Sequence, residues 1–135
     1  MITEFEFDFI FGRPAIFAKL QLVEETIMLI AIVQIPGIER SKEEVITAAT
    51  GSAPTFSKLP GLLRKYYLNG ENGGGGVYIW ESREAADAWY NNEWSAKMEK
   101  RFGAKPRLTY YDNYVVLDNS SRELRVDGAL AELGS

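Results

Sequence analysis

Hydrophobic positions from residue 27 onward follow two alternating periods, one typical of strands and one typical of helices. Residues 27–35 form a continuous apolar run, IMLIAIVQI, which predicts a central strand buried on both faces. A capping box follows at 41–44, where a Ser precedes a Glu by three positions, and it predicts that a helix begins there. Gly51 and Pro54 are predicted to kink or split this helix, and the Pro-Gly pair at 60–61 ends it.

The segment 59–94 carries the densest aromatic pattern of the chain. Residues 62–69 and 76–81 predict two strands, and the short linker at 70–76, GENGGGG, predicts a hairpin between them. A phosphate cradle is the alternative for the glycine run at 73–76, but the Lys and Ser/Thr of a Walker motif are absent. We therefore interpret the run as a flexible hairpin tip.

A second helix and a fourth strand complete the pattern. Ser82 is the predicted N-cap of a helix whose apolar stripe runs from Ala85 to Phe102, with two asparagines at 91–92 loosening its middle. Residues 108–117, LTYYDNYVVL, predict the fourth strand. The resulting order, β-α-β-β-α-β, is that of a ferredoxin-like α+β unit, with an antiparallel four-stranded sheet and its helices on one face.

The two ends of the chain fall outside this unit, which we assign to residues 27–118. Residues 1–26 begin with phenylalanines that alternate with acids, and they are interpreted either as an accessory edge strand or as an extension upstream of a start at Met28. Residues 119–135 are polar and then weakly helical, which is consistent with a tail that reaches a partner subunit.

Burial argues for a second copy of the chain. The predicted strands carry apolar and aromatic residues on both faces, whereas the helices of a ferredoxin-like unit cover only one face. A homodimer that packs the uncovered faces together is therefore expected.

The amino-acid composition argues against several classes of partner and cofactor. The chain has 135 residues and a formal net charge of −4, which argues against nucleic-acid and anionic-membrane partners. With no Cys it forms no disulfides, which fits a cytoplasmic location, and with no His it lacks the commonest metal and haem ligand. No segment reaches the roughly 20 apolar residues that span a bilayer.

Three runs carry a family resemblance: APTFSKLPGLLRKYYLNGE, GGGGVYIWESREAADAWYNNEW and FGAKPRLTYYDNYVVLDN. Over about residues 28–118 the chain resembles monooxygenases of the dimeric α+β barrel superfamily, which includes the antibiotic-biosynthesis monooxygenases. The resemblance implies two subunits whose sheets close into one barrel, with a ligand cleft between helices and sheet in each.

Haem-degrading relatives use an Asn on the first strand, a Trp on the second helix and a His about ten residues later. Trp89 resembles that Trp, but the first strand offers Gln34, and the position ten residues on is Glu99. We therefore expect no haem, and neither flavin nor metal is expected as a cofactor.

Several aromatic residues are candidate contacts for a flat apolar or phenolic ligand. Tyr78 and Trp80 belong to the same group of rings, and the alternative for every member is a place in the core or the dimer interface. The predicted substrate-binding residues are Tyr66, Tyr67, Trp89 and Trp94.

A cofactor-free oxygenase must hold an anionic substrate and accept its proton. Arg64 or Arg107 is the candidate cation. Tyr66, Tyr67 or Asn91 is the candidate for the hydrogen bonds to the anion. Glu99 or Asp112 is the candidate base if burial raises its pKa. A solvated surface position is the alternative for each of the charged residues.

Two functions follow as hypotheses. The first is a cofactor-independent monooxygenase that acts on a phenolic or polycyclic aromatic compound. The second is a non-catalytic, small-ligand-binding or stress-related homodimer with the same fold. They differ in whether a ligand that enters the cleft is turned over.

Overall fold

The computed structural model describes residues 28–37 and 39–134, so the accessory strand expected within residues 1–26 lies outside the described residues. Contacts divide the described chain after Asn113 into two compact units. The first unit contains, in chain order, β1 (Met28–Pro36), α1 (Lys42–Ser57), β2 (Leu62–Gly70), β3 (Gly73–Trp80), α2 (Arg83–Trp89), α3 (Asn92–Phe102) and β4 (Arg107–Asn113).

The strands of the first unit form one antiparallel sheet in the order β2-β3-β1-β4. This order, with β1 and β3 in the centre, is that of a ferredoxin-like fold, so the predicted α+β class is confirmed. None of the helices in the described residues is long and apolar enough to cross a membrane.

The core lies on the helix-facing side of the sheet. Leu29, Ala31 and Val33 alternate with half-buried residues along β1, so a single chain buries only one face of the strand that we expected to be buried on both. Trp80 of β3 is 0% exposed and is the largest of the fully buried side chains. The core therefore forms where β1 and β3 face the helices.

Helix α1 begins as its sequence predicts. The Ser41 hydroxyl accepts a hydrogen bond from the Glu44 backbone N–H, and the Glu44 carboxylate accepts one from the Ser41 N–H. The helix then continues without a break through Gly51 and Pro54, so the predicted split is wrong.

The predicted second helix is two helices. α2 ends at Trp89, and Asn91 begins α3 as its N-cap because its side-chain oxygen accepts a hydrogen bond of 2.9 Å from the Trp94 N–H. The two asparagines that we expected to loosen the helix therefore mark the start of a separate helix, with Asn91 as its N-cap and Asn92 as its first residue.

The glycine run is part of a strand, so its interpretation as a flexible hairpin tip is wrong. β3 begins at Gly73, and only Glu71 and Asn72 connect it to β2. Gly73, Gly74 and Gly75 pair with Pro36, Ile35 and Gln34 of β1. Hydropathy does not identify these positions because glycine has no side chain whose periodicity can be read.

The second unit includes a meander of three short strands, β5 (Val115–Asp118), β6 (Glu123–Val126) and β7 (Ala129–Ala131). The expected weak helicity of residues 119–135 is therefore wrong, and the predicted fourth strand is divided between β4 and β5. Asp127 and Gly128 join β6 to β7 with φ of 52° and 84°. Two positive φ values are typical of the type I′ turn that an Asp-Gly pair favours.

Candidate functional site

A cavity of about 380 Å³ lies between α1, α3 and the sheet of the first unit. Val33 and Ile35 of β1 contribute to one wall, and Ala48 and Ser52 of α1 contribute to another. The small side chains of α1 keep this helix from filling the space. Ligand pockets of proteins are typically ~300–1,000 Å³, so the cavity is large enough for a small organic molecule.

The floor of the cavity is the glycine run at the start of β3, where Gly73, Gly74 and Gly75 line it. Gly74 and Gly76 lie on the same face of β3 as buried Tyr78, because alternate residues of a strand share a face. Their neighbours on β1 are Ile35 and Val33, in register. The two glycines therefore leave a gap in the side-chain layer between β1 and β2, beneath α1.

Aromatic rings close one side of the cavity around Phe56 of α1. The centroid of the Phe56 ring lies 6.4 Å from that of Tyr67 and 5.9 Å from that of Tyr78. The Tyr67 hydroxyl shares a hydrogen bond of 3.1 Å with the Ser52 hydroxyl, which fixes the orientation of its ring. Trp94 of α3 also lines the cavity and is only 9% exposed.

Lys65 is the most unusual side chain of the site. Its Nζ lies 3.4 Å from the ring centroid of Phe56, 4.0 Å from that of Tyr67 and 4.8 Å from that of Tyr78. Burial and, to a lesser degree, the positive charge of Arg101 lower the pKa of Lys65 to about 8. The ring faces attract the ammonium and offset part of this effect. Lys65 therefore changes its protonation state near neutral pH.

The charged residues of the cavity wall all have the same sign. Arg40, Lys65 and Arg101 line it, and no carboxylate is present among the lining residues that the structure describes. The whole chain, in contrast, has a formal net charge of −4. The cavity is thus a local concentration of positive charge in an acidic protein.

From Tyr78, which lines the cavity, ring contacts continue to Tyr90 and on to Tyr110. The Tyr90 hydroxyl accepts a hydrogen bond of 3.2 Å from Nε1 of Trp80, and burial raises the pKa values of both Tyr78 and Tyr90. Tyr110 donates a hydrogen bond to Asp87, and burial together with that bond raises its pKa to about 12. These phenols stay protonated at neutral pH, so they contribute packing and hydrogen bonds rather than charge.

Two of the four predicted substrate-binding residues line the cavity, Tyr67 and Trp94. Tyr66 lies on the opposite sheet face and is 49% exposed. Trp89 packs against Phe56, with ring centroids 5.6 Å apart, but it is not a lining residue. Its Nε1 is buried and has no hydrogen-bond partner in the described part of the chain.

None of the four predicted catalytic residues lines the cavity. Arg64 donates a hydrogen bond of 3.0 Å to the Tyr66 hydroxyl on the outer face of the sheet. Asn91 is committed to capping α3. Glu99 and Asp112 are both exposed. Arg107, the alternative cation, lies 3.5 Å from the side-chain oxygen of Gln34 and is exposed.

The structure brings Lys65, Arg101, Arg40 and Ser52 to the site, none of which the sequence identified as functional. A signal existed for Lys65, because it precedes Tyr67 by two positions on the same strand and therefore shares its face. The described residues contain no group of three or more acidic side chains placed to hold a metal ion.

The fold and the cavity define a class, a ferredoxin-like α+β protein with a cationic, aromatic-lined cavity of ligand size. No family model matches the chain, and no curated protein matches it. A solved structure that is similar is the monooxygenase from the ActVA-Orf6 gene of Streptomyces coelicolor in complex with the ligand nanaomycin D. It shares 16% identity at a TM-score of 0.44, over 65% of this chain and 88% of that chain. The fold class above rests on the strand order of this chain itself.

Proposed function

We propose that the protein is a cofactor-independent monooxygenase that acts on a phenolic or polycyclic aromatic compound bound in the cavity. The observation that carries the proposal is Lys65, a half-buried amine with a pKa of about 8 that is surrounded by aromatic rings. An amine of this kind both accepts a proton from a phenol and holds the resulting anion. The flat rings beside it provide contact surface for an aromatic substrate.

The chemistry balances without an external reductant. Neutral Lys65 accepts the phenol proton, and the resulting ammonium pairs with the phenolate, which can then transfer an electron to O₂. Oxidation of the phenol by one O₂ gives a quinone and one water. One oxygen atom enters the ring, and the other leaves as water with two hydrogen atoms of the substrate.

In this proposal Tyr67 and Trp94 contact the ring system, and Lys65 takes the roles of cation and base that the sequence assigned to other residues. Ser52 supports Tyr67 through their shared hydrogen bond. Arg64, Asn91, Glu99 and Asp112 are not needed for the reaction, and no cofactor is required.

Oxygen uptake tests the proposal directly. We expect the purified protein to accelerate O₂ consumption with at least one of 1-naphthol, 1,5-dihydroxynaphthalene and 1,8-dihydroxynaphthalene. Lys65→Met, which keeps the length of the side chain and removes the amine, should lower the rate by about a hundredfold or more. Lys97→Met is the matched control, because Lys97 is exposed on α3 and ion-pairs with Glu93. O₂ consumption at the uncatalysed rate with all three compounds would contradict the proposal.

A non-catalytic ligand-binding protein is the second candidate. It is favoured by the cavity wall, which has no carboxylate among its described residues to work with Lys65 as an acid–base pair. Binding of a naphthol, followed as quenching of tryptophan fluorescence, without any product after prolonged incubation would support this candidate. Sustained product formation would exclude it.

The homodimer and its closed barrel are part of the same proposal, as is the expected cytoplasmic location. Support comes from the outer sheet face of the first unit, where Tyr66, Leu68 and Tyr111 are 49%, 39% and 52% exposed. Such a patch is unfavourable in water unless a second surface covers it. Light scattering should give the mass of a dimer for the wild type and for Ile46→Lys, a control on exposed α1, and a monomer for Tyr111→Lys. A monomeric wild type would contradict the dimer.

A further inference from the structure

Two cationic side chains of the cavity wall approach the glycine run of β3. A Cβ atom at Gly74 would lie 3.9 Å from a terminal guanidinium nitrogen of Arg40. A Cβ atom at Gly76 would lie 3.3 Å from Cε of Lys65. These glycines are alternate residues of one strand face, about 7 Å apart along the strand. Both cationic side chains therefore lie within van der Waals reach of the glycine positions.

Arg40 is anchored at this position through its backbone. Its N–H donates to the Asn69 side-chain oxygen at 3.2 Å, and the Asn69 amide donates back to the Arg40 carbonyl oxygen at 2.7 Å. Hydrogen bonds from Ser41 and, less strongly, the charge of Arg40 lower the pKa of Glu44. The Glu44 carboxylate, however, is exposed and accepts the Ser41 N–H in the capping box, so it does not enter the cavity.

Arg101 of α3 adds a third positive charge to the cavity wall. Its positive charge is the smaller of the two causes, after burial, that lower the pKa of Lys65. Arg40 and Arg101 are exposed and Lys65 is half-buried, so solvent screens part of the repulsion among the three like charges, and no carboxylate is present among the described lining residues. A bound anion would relieve this repulsion and would be held by charge-assisted hydrogen bonds.

We propose that the cavity selects aromatic ligands that carry a permanently anionic group, a carboxylate or sulfonate, which Arg40, Lys65 and Arg101 neutralise above the glycine floor. The ring system of the ligand then contacts Phe56 and Tyr67. The inference rests on the proposed function only in taking this cavity as the ligand site. It names the substrate class and assigns Gly76 a role, because a Cβ atom there would press against the Lys65 side chain at 3.3 Å.

A matched pair of fluorescent probes tests this selectivity on the full-length chain. 8-Anilino-1-naphthalenesulfonate and N-phenyl-1-naphthylamine share the anilinonaphthalene body, and the sulfonate is their only difference. We expect the wild type to bind the sulfonate at least about tenfold more tightly, the factor that corresponds to one charge-assisted contact. Added salt should weaken the binding of the sulfonate and leave that of the neutral probe nearly constant.

Charge removal within the cavity should abolish the preference. Lys65→Met and Arg101→Met should each weaken binding of the sulfonate about tenfold or more and that of the neutral probe less than about threefold. Arg40→Gln supplies a third variant, and circular dichroism checks that each variant is folded. Lys97→Met removes the same unit of charge from exposed α3 and should change neither affinity.

Two outcomes of the probe measurements overturn the inference. One is equal affinity of the wild type for both probes. The other is an equal loss of sulfonate affinity in Lys97→Met and Lys65→Met, because that result would assign the preference to overall charge. Oxygen uptake separates the two proposals: selective sulfonate binding without uptake overturns only the oxygenase. Uptake that is as fast with 1-naphthol as with 1-hydroxy-2-naphthoate overturns only the anion selectivity.

Discussion

Replacement of Gly75 by alanine is expected to destabilise the protein strongly, although it adds a single methyl group to a half-buried position. Gly75 has a φ of +144°, which L-amino acids with a side chain rarely adopt. A Cβ atom there would also overlap the carbonyl oxygen of Val33 on the neighbouring central strand. Neither conflict can be relieved by rotating a side chain, because the opposing atom belongs to the backbone.

The magnitude follows from the two conflicts. A residue with a side chain held in a sparsely populated backbone region costs ~1–3 kcal/mol, and overpacking of a filled site costs ~1–3 kcal/mol. We therefore expect Gly75→Ala to lower the free energy of unfolding by about 2–6 kcal/mol. Domains have a total stability of ~5–15 kcal/mol, so this variant is expected to be partly or fully unfolded.

Gly51→Ala is the matched control, because it makes the same chemical change in α1. Nothing lies within 4 Å of the added Cβ atom, and alanine favours a helix interior over glycine by roughly 0.5–1 kcal/mol. The control should therefore be more stable than the wild type. Urea denaturation followed by circular dichroism measures both changes. A Gly75→Ala variant within about 0.5 kcal/mol of the wild type would refute the placement of the glycine run inside the sheet.

Three further predictions concern the site and its support. Burial lowers the pKa of Lys65 to about 8 from 10.5, so the unfolded state binds more protons, and stability should rise from pH 8 to 10 relative to Lys65→Met; parallel stability curves for the two proteins would contradict this. Tyr90→Phe leaves the buried Trp80 Nε1 without its acceptor and should cost about 1–3 kcal/mol in urea denaturation, whereas no loss would show that the bond is unimportant. Asn91→Ala removes the N-cap of α3 and should cost ~1 kcal/mol while Asn91→Asp retains the cap, and equal stability of the two variants would count against capping.

The strand order could be predicted because it follows from apolar runs that break at clear turn signals. Residues 27–35 predicted β1 to within one residue, and the capping box at 41–44 predicted the start of α1. The extent of β3 could not be read in the same way. Gly73–Gly76 carry no hydropathy, and only the register with β1 shows that they belong to the sheet. A glycine run between two aromatic strands is consistent with either a hairpin loop or a strand segment, and the backbone pairing with β1 shows that it is a strand segment.

The C-terminal strands were missed although a signal for them was present. Asp127-Gly128 is among the strongest short-range hairpin signals, and it stands between two short segments, β6 and β7. The last residues also carry a weak helical pattern, and that pattern favoured a helix over a hairpin. Strands of four and three residues have too few positions for a period of two to be distinguished from a helical period.

The adjacent tyrosines at 66 and 67 show why the candidate site was only half predictable. Alternation along β2 requires their side chains to lie on opposite faces, and it groups Lys65 with Tyr67. The sequence does not say which face meets α1, because both faces carry aromatic rings. In the structure the Ser52 hydroxyl of α1 shares a hydrogen bond with the Tyr67 hydroxyl, which shows that the face carrying Tyr67 is the one that meets α1. With the Tyr67 face toward α1, Lys65 lies beside the glycine floor. There its amine is next to aromatic rings, and the described lining residues include no carboxylate. The chemistry of the site thus depends on one packing choice that strand periodicity leaves open.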